Sequence, residues 1–336
     1  RNAVTYEIAG DAALSLGVDL GGTKVTAAIA NLVGEIVAES TEPTDPHGGR
    51  DVLRQIRALA DRICAEAGIK SERIRSVVVG TPGVVDPASG SVALVPNIKG
   101  LSDFSVPKAL AEHFGREVAV ENDVNLAVLG EAWQGSARDC QNAAFLSLGT
   151  GVGLGLIVNG ALVRGAAGAA GEIAYLPIGA DLISPDALTV GAFELEVGAA
   201  GILRRHRATG GAPVETVRDL FARLEAGDEL AGQTLEATAG AIALAITAVQ
   251  SIVDAELIVL GGSIGVRPEL VERVQKRIGA VFARKTMIRA SALGAKAGLV
   301  GAISLAIHKL HNELFGISGL PRELTLPATN LARAAE

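Results

Sequence analysis

The sequence predicts an α/β protein of two related lobes with a cleft between them, on three observations. Short apolar runs that end in glycine alternate with stretches of helical period, at residues 16–22, 74–83 and 257–263. Residues 19–31 repeat in residues 147–159, where Leu20, Gly21, Ile29 and Asn31 meet Leu148, Gly149, Ile157 and Asn159. The 336 residues, 49% of them hydrophobic and 20% charged, supply core material for roughly two domains.

Strand signals come first. Residues 16–20 form an apolar run with one embedded carboxylate, Asp19; Gly21-Gly22-Thr23 cuts it, residues 25–30 resume it, and Asn31-Leu32-Val33-Gly34 turns the chain into Glu35-Ile36-Val37-Ala38. Apolar runs of this length broken by Gly and Asn read as strands joined by hairpin turns. Over residues 51–67 the period changes: Val52, Ile56, Leu59 and Ile63 lie on one stripe of an amphipathic helix. Residues 74–80 then read as a buried strand that runs into Thr81-Pro82-Gly83. In the second half Val217, Leu220, Phe221 and Leu224 make a helical stripe, residues 235–253 a second helix, and residues 257–260 a buried strand ending at Gly261-Gly262-Ser263. A helix after Ser291 is expected to return to the first lobe, and the tail from Phe315 on, with Pro321 and Pro327, reads as an irregular extension.

Thirty Lys and Arg against thirty-seven Asp and Glu leave a formal charge of −7, which argues against a chain that holds nucleic acid by itself. The two cysteines, Cys64 and Cys140, build neither a disulfide framework nor a four-cysteine zinc site, and a reducing, cytoplasmic setting is expected. Residues 140–163 carry no charge, yet Gly149, Gly151, Gly153, Gly155 and Gly160 make them a poor membrane helix beside a pair of buried strands. No membrane partner is expected.

Four segments carry chemistry. In Asp19-Leu20-Gly21-Gly22-Thr23-Lys24 glycines let the backbone approach an anion, Thr23 adds a hydroxyl, Lys24 a cation, and Asp19 a carboxylate able to hold magnesium through water. The other reading is a glycine hairpin without a ligand. Gly149-Thr150-Gly151-Val152-Gly153 is a second such turn, and by itself a structural one. Glu121-Asn122-Asp123-Val124-Asn125 follows an apolar strand, where open α/β sheets bind ligands. There Asp123 suits a general base on a sugar hydroxyl and Asn122 a group that fixes that hydroxyl, while an Asn/Asp helix cap explains the same residues. Gly171-Glu172-Ile173-Ala174-Tyr175 delivers a carboxylate and a phenol from a loop; Glu194 reads alone as a helix surface charge and Asn97 as a turn residue.

Taken in order, these segments resemble the ROK family (repressors and sugar kinases) of the actin/hexokinase-like, ribonuclease H-like ATPase superfamily, over residues 14 to 310. The resemblance rests on residues 19–23, Gly80-Thr81-Pro82-Gly83-Val84-Val85-Asp86, residues 121–125, residues 149–153, Gly171-Glu172 and Gly261-Gly262. It implies an α/β fold of two lobes, each a mixed sheet flanked by helices. It also implies that Asp19, Gly22, Thr23, Lys24, Thr150, Gly151, Gly261 and Gly262 line an ATP side, and that Asn97, Asn122, Asp123, Glu172, Tyr175 and Glu194 line a sugar side, with Asp123 as catalytic base. The expected lobes are 14–121 with about 292–312, and 122–291, flanked by an N-terminal remnant at 1–13 and an extension at 313–336.

The departures set the expected function. Family kinases carry a His where Tyr175 stands, and that His joins a zinc site of three cysteines; residues 178–194 hold no cysteine, so no zinc is expected. Asp123-Val124-Asn125, residues 171–177 and the long tail resemble the family's transcriptional regulators. In these a winged helix-turn-helix precedes the sugar-binding body, and Val4, Tyr6 and Ile8 alternate like a strand that would follow its wing. The sequence therefore predicts a sugar-sensing, oligomerising regulator body, a homodimer or tetramer that reaches DNA only through a module outside this chain. The alternative is an ATP- and Mg²⁺-dependent kinase of a hexose or N-acylhexosamine, and a third reading is a degenerate assembly partner.

Overall fold

The structure, a computed structural model, describes residues 9–86, 88–93, 98–179 and 182–316. The expected strand at Val4, Tyr6 and Ile8, the candidate Asn97, and the tail with Pro321 and Pro327 lie outside the described residues. The chain divides into two units. One runs to Gln134, takes in Gly165–Ala169 and resumes at Lys296; the other is Gly135–Arg164 with Ala170–Ala295.

Unit 1 opens with three antiparallel strands, β1 (Leu14–Leu20), β2 (Lys24–Asn31) and β3 (Ile36–Pro43). The turn between β2 and β3 is built by Asn31, whose Oδ1 accepts the N–H groups of Val33 and Glu35. Helix α1 (Gly49–Glu66) follows, and its expected stripe of Val52, Ile56, Leu59 and Ile63 is buried in one core with Val25, Ala27 and Ile29 of β2 and Leu16 and Val18 of β1. Next come β4 (Ile74–Thr81), a small hairpin of β5 (Val84–Val85) and β6 (Val92–Ala93), α2 (Val106–Phe114), β7 (Ala119–Asn122) and α3 (Asp123–Gln134). The sheet order is β3-β2-β1-β4-β7, with β4 parallel to both β1 and β7.

Unit 2 repeats that plan. Strands β8 (Ala143–Leu148), β9 (Val152–Val158) and β10 (Ala161–Leu162) are antiparallel. The charge-free stretch is therefore strands. Helices α4 (Pro185–Val190), α5 (Ala192–Val197), α6 (Ala199–Ala208), α7 (Val217–Glu225) and α8 (Glu229–Val253) precede β11 (Leu257–Gly261). Then α9 (Gly262–Gly265), α10 (Pro268–Val281) and β12 (Ile288–Ala290) complete the unit. The order β10-β9-β8-β11-β12, with β11 parallel to β8 and β12, matches unit 1 strand for strand. The helix expected at 235–253 starts earlier, at Glu229, because the Asp228 carboxylate accepts the N–H groups of Leu230 and Ala231 and caps it there. Among the described residues α8 is the one helix long and apolar enough to cross a membrane by length and composition; its Leu235, Ala239, Ile242 and Ile246 belong to the core of the unit.

The chain then returns to unit 1 as α11 (Ala297–Phe315), capped by Gly316 in the left-handed conformation. Leu299, Ile303 and Ile307 of α11 cover the sheet face opposite α1, against Ala28 and Ala30. Helix α3 packs beside it, Leu126 sharing a cluster with Ala302 and Ala306. This packing corrects the expected boundary: unit 1 ends after Gln134, not at residue 121, since α3 buries its apolar face against α11.

Two glycines make the α3–α11 approach possible. A Cβ added to Gly130 would stand 3.0 Å from the Gly301 nitrogen, and one on Gly301 would stand 2.5 Å from the Leu126 carbonyl carbon. Gly→Ala in an exposed helix stabilises by about 1 kcal/mol. Gly301→Ala is expected to reverse that sign and cost about 1–3 kcal/mol, as overpacking does, read as a fall in the urea midpoint.

Candidate functional site

Each unit gathers its candidate residues at the carboxyl edge of its sheet, where open α/β sheets bind ligands. In unit 1, strand register pairs Asp19 with Gly80 and Gly80 with Glu121, so Asp19, Gly80 and Glu121 form a row across β1, β4 and β7. Asp19 and Glu121 are thus two strand spacings apart, about 10 Å. In unit 2, Ser147 pairs with Gly261, which brings the turn after β8 beside the turn after β11.

The β1–β2 turn is closed by the Gly21 N–H donating to the Lys24 carbonyl at 2.9 Å, and braced by the Thr44 hydroxyl donating to the Gly21 carbonyl at 2.7 Å. Gly22, Thr23 and Lys24 are exposed at its tip. Asp19 lies beneath, half-buried, against the first turn of α11; a Cβ on Gly298 would stand 3.1 Å from its Oδ2. Burial pushes the Asp19 carboxyl up to about 6, partly opposed by the Lys24 ammonium.

The junction of β7 and α3 is tied more densely. Asn122 Oδ1 accepts the N–H groups of Val124 (2.9 Å) and Asn125 (3.0 Å), capping α3, while its Nδ2 donates to the Gly83 carbonyl at 2.9 Å. Both sequence readings of Asn122 thus meet in one side chain: it is the helix cap, and one amide proton is left over for a ligand. Asp123 Oδ1 accepts the Val124 N–H at 2.8 Å. Buried Glu121 accepts the Asn122 N–H and the Asn125 Nδ2, each at 3.0 Å. The supporting roles of Glu121, Asn125 and the Gly83 carbonyl are not legible in the sequence, although all lie within its singled-out motifs.

In unit 2 the turn after β8 is closed by the Gly149 N–H donating to the Gly151 carbonyl at 3.0 Å, with Thr150 exposed at its tip. Glu194 on α5 is no simple surface charge: its Oε2 accepts the Val152 N–H at 2.8 Å, beside that turn. Burial raises the Glu194 carboxyl, opposed by this bond. Burial also raises Glu172, and the neighbouring Glu194 charge adds to it, so the two candidate carboxylates share one electrostatic environment. Tyr175 donates its hydroxyl to the Thr189 carbonyl at 3.1 Å, leaving it only an acceptor role towards a ligand. Gly261 packs on the Phe145 ring and Gly262, at φ 74°, on the backbone of Leu148, so both have a packing reason beside any ligand role.

Comparison with known proteins agrees with this architecture. The ROK family profile matches residues 15–309. The chain belongs to the ROK family. A glucokinase of Halalkalibacterium halodurans is 30% identical over 307 residues, which is 85% of this chain and 92% of that protein. The crystal structure of a ROK family glucokinase from Streptomyces griseus in complex with glucose and AMPPNP superposes with a TM-score of 0.72 at 26% identity, covering 88% of this chain and 99% of that one. A xylose repressor of Caldicellulosiruptor bescii is 32% identical over 183 residues, but these are 53% of this chain and 45% of the repressor. These two kinases match over 85% and 88% of this chain and this repressor over 53%. The comparisons back the kinase alternative better than the regulator reading that the loop departures suggested.

The three-cysteine zinc site that the resemblance implies for the family's kinases does not fit these residues, since 178–194 hold no cysteine. Among the described residues no group of three His, Cys, Asp or Glu side chains is placed to hold a metal ion. Cys64 lies on α1 of the other unit, and Tyr175 is engaged with Thr189. ATP with Mg²⁺ does fit: Asp19 and Thr23 are oxygen donors of the kind magnesium takes, beside an exposed glycine turn.

Proposed function

We propose that this protein is an ATP-dependent sugar kinase acting on a hexose or N-acylhexosamine. The observation that carries the reading is the row at the carboxyl edge of the unit 1 sheet. It sets Asp123, first residue of α3, two strands from Asp19 and its glycine turn. Asp123 would take the proton of a sugar hydroxyl as that oxygen attacks the terminal phosphorus of ATP, with Asn122 donating its remaining amide proton to the same sugar. Glu172 and Glu194 would accept hydroxyl protons of the sugar. Backbone N–H groups of the turns after β1 and β8, together with Lys24, would hold phosphate oxygens. Asp19 and Thr23 would hold Mg²⁺, which when bound neutralises charge on the phosphates. Assembly as a homodimer or tetramer in the cytoplasm belongs to the same proposal.

A second reading keeps a place because of one observation. Tyr175 stands where the family's kinases have His, and the chain lacks their cysteines, so a sugar-binding regulator body without turnover is the competing function. Coupled measurement of ADP release against hexoses and N-acetylhexosamines separates the two. Turnover of one sugar is expected. No turnover with any of them, together with thermal stabilisation by one, would establish the regulator reading in its place.

The raised carboxyls add a pH signature. Glu172 and Glu194 accept sugar hydroxyls most strongly when ionised, and both hold their protons to a higher pH than an ordinary glutamate. On acidification KM for the sugar is expected to rise before the usual glutamate range is reached, and Glu172→Gln to make that limb shallower in a KM–pH profile, with the Glu194 part remaining.

A further inference from the structure

Without the three cysteines of the implied zinc site, a question of mechanics arises: what holds the strap of chain that joins Glu172 to Glu194? A closed circuit of contacts within unit 2 answers it. Gly171, at φ 91°, lies against Leu154 of β9, so closely that an added Cβ would stand 3.0 Å from the Leu154 carbonyl carbon. Ile173 and Ala174, immediately after Glu172, are buried. Gly191, at φ 103°, then meets Ala174, its absent Cβ falling 3.0 Å from the Ala174 Cβ. Phe193 is fully buried, and Glu194 returns to β9 through its 2.8 Å bond from the Val152 N–H. Across the mouth of this loop Tyr175 Oη–H donates to the Thr189 carbonyl at 3.1 Å, while the Thr189 hydroxyl donates to the Pro185 carbonyl at 2.8 Å and the Ser184 hydroxyl caps α4.

The geometry points to Tyr175 as a positioning residue: its hydroxyl closes a metal-free clip onto Thr189 that keeps Glu172 in register with Glu194. The inference rests on the proposed sugar site, and it gives the residue at the family's zinc-ligand position a different task. A phenol reaches the Thr189 carbonyl and ties the strap there by one hydrogen bond. The clip and the two glycine approaches fix the strap at both ends, and Glu172 and Glu194 sit at those ends.

The test uses the full chain and Tyr175→Phe, which removes one hydroxyl and keeps the ring. Residues 173–194 contain no Lys or Arg, so subtilisin rather than trypsin probes the strap. Subtilisin is expected to cut between Tyr175 and Thr189 about fivefold faster in the variant, the fold-change that loss of one hydrogen bond carries. KM for the sugar should rise by a similar factor of about five, a larger change than that in kcat, and rise together with the cleavage rate. Purified wild-type protein should contain less than stoichiometric zinc and keep its activity in 1,10-phenanthroline. Stoichiometric zinc, or unchanged cleavage in Tyr175→Phe, overturns the clip; faster cleavage with unchanged KM overturns its positioning role. If the wild type turns over no sugar, the kinase reading falls by itself. Cleavage and metal content then still decide the clip, and the dissociation constant of the sugar replaces KM.

Discussion

Asp123→Asn is expected to lower kcat by about 10²–10⁴-fold, the range that removal of a general base spans. The substitution is nearly isosteric. An Asn carboxamide oxygen can still accept the Val124 N–H that Asp123 Oδ1 accepts at 2.8 Å, so the first turn of α3 keeps its geometry. The cap is carried separately by Asn122, which holds Val124 and Asn125. What the amide cannot do is take a proton. KM for the sugar should therefore stay within about threefold while kcat collapses, the pattern of an interaction made only in the transition state. Steady-state kinetics with the preferred sugar and a thermal melt of the variant are the measurement. Retention of kcat within about threefold would remove Asp123 from the base role. A large loss of melting temperature would show that the residue serves the fold instead.

Much of this architecture is legible in sequence because the repeat carries it. Leu20, Gly21, Ile29 and Asn31 find their counterparts in Leu148, Gly149, Ile157 and Asn159, and the two sheets share one strand order. Period and turn chemistry locate α1 and the stripe of Val217, Leu220 and Phe221, since both depend on neighbours in sequence. The boundary between units does not depend on neighbours in sequence. It follows from α3 packing on α11, whose residues lie far along the chain, and from glycines whose only sign is a missing side chain. The site divides the same way. Asp19, Asn122 and Asp123 stand in motifs whose residue types declare a chemistry. The bond from Val152 to Glu194 and the clip from Tyr175 to Thr189 each join a side chain to a backbone group, and the backbone partner leaves no trace in residue identity. The regulator expectation leaned on Tyr175 as a residue facing a ligand, whereas its hydroxyl proton is spent on Thr189.

Asp19→Asn is expected to make the protein more stable and less active at once. Burial raises the Asp19 carboxyl from 3.8 to about 6 in the folded state. A raised folded value means that folding takes up a proton, so the stability linked to this group is fully present below about pH 4, is lost between pH 4 and 6, and stays lost above. About two pH units at 1.36 kcal/mol each put the loss near 3 kcal/mol at neutral pH. Asn is neutral throughout and escapes that loss. The variant should therefore exceed the wild type by about 1–3 kcal/mol in urea unfolding at pH 8 and lose the advantage at pH 4. A cation bound beside Asp19 would offset that cost, since it favours the charged form. Magnesium-dependent turnover should fall at least about 10²-fold in the same variant, as when an ion's charge stabilisation is withdrawn from phosphoryl transfer. Lower stability at pH 8 would mean that the carboxylate serves the fold, and undiminished turnover would mean that the ion is held elsewhere.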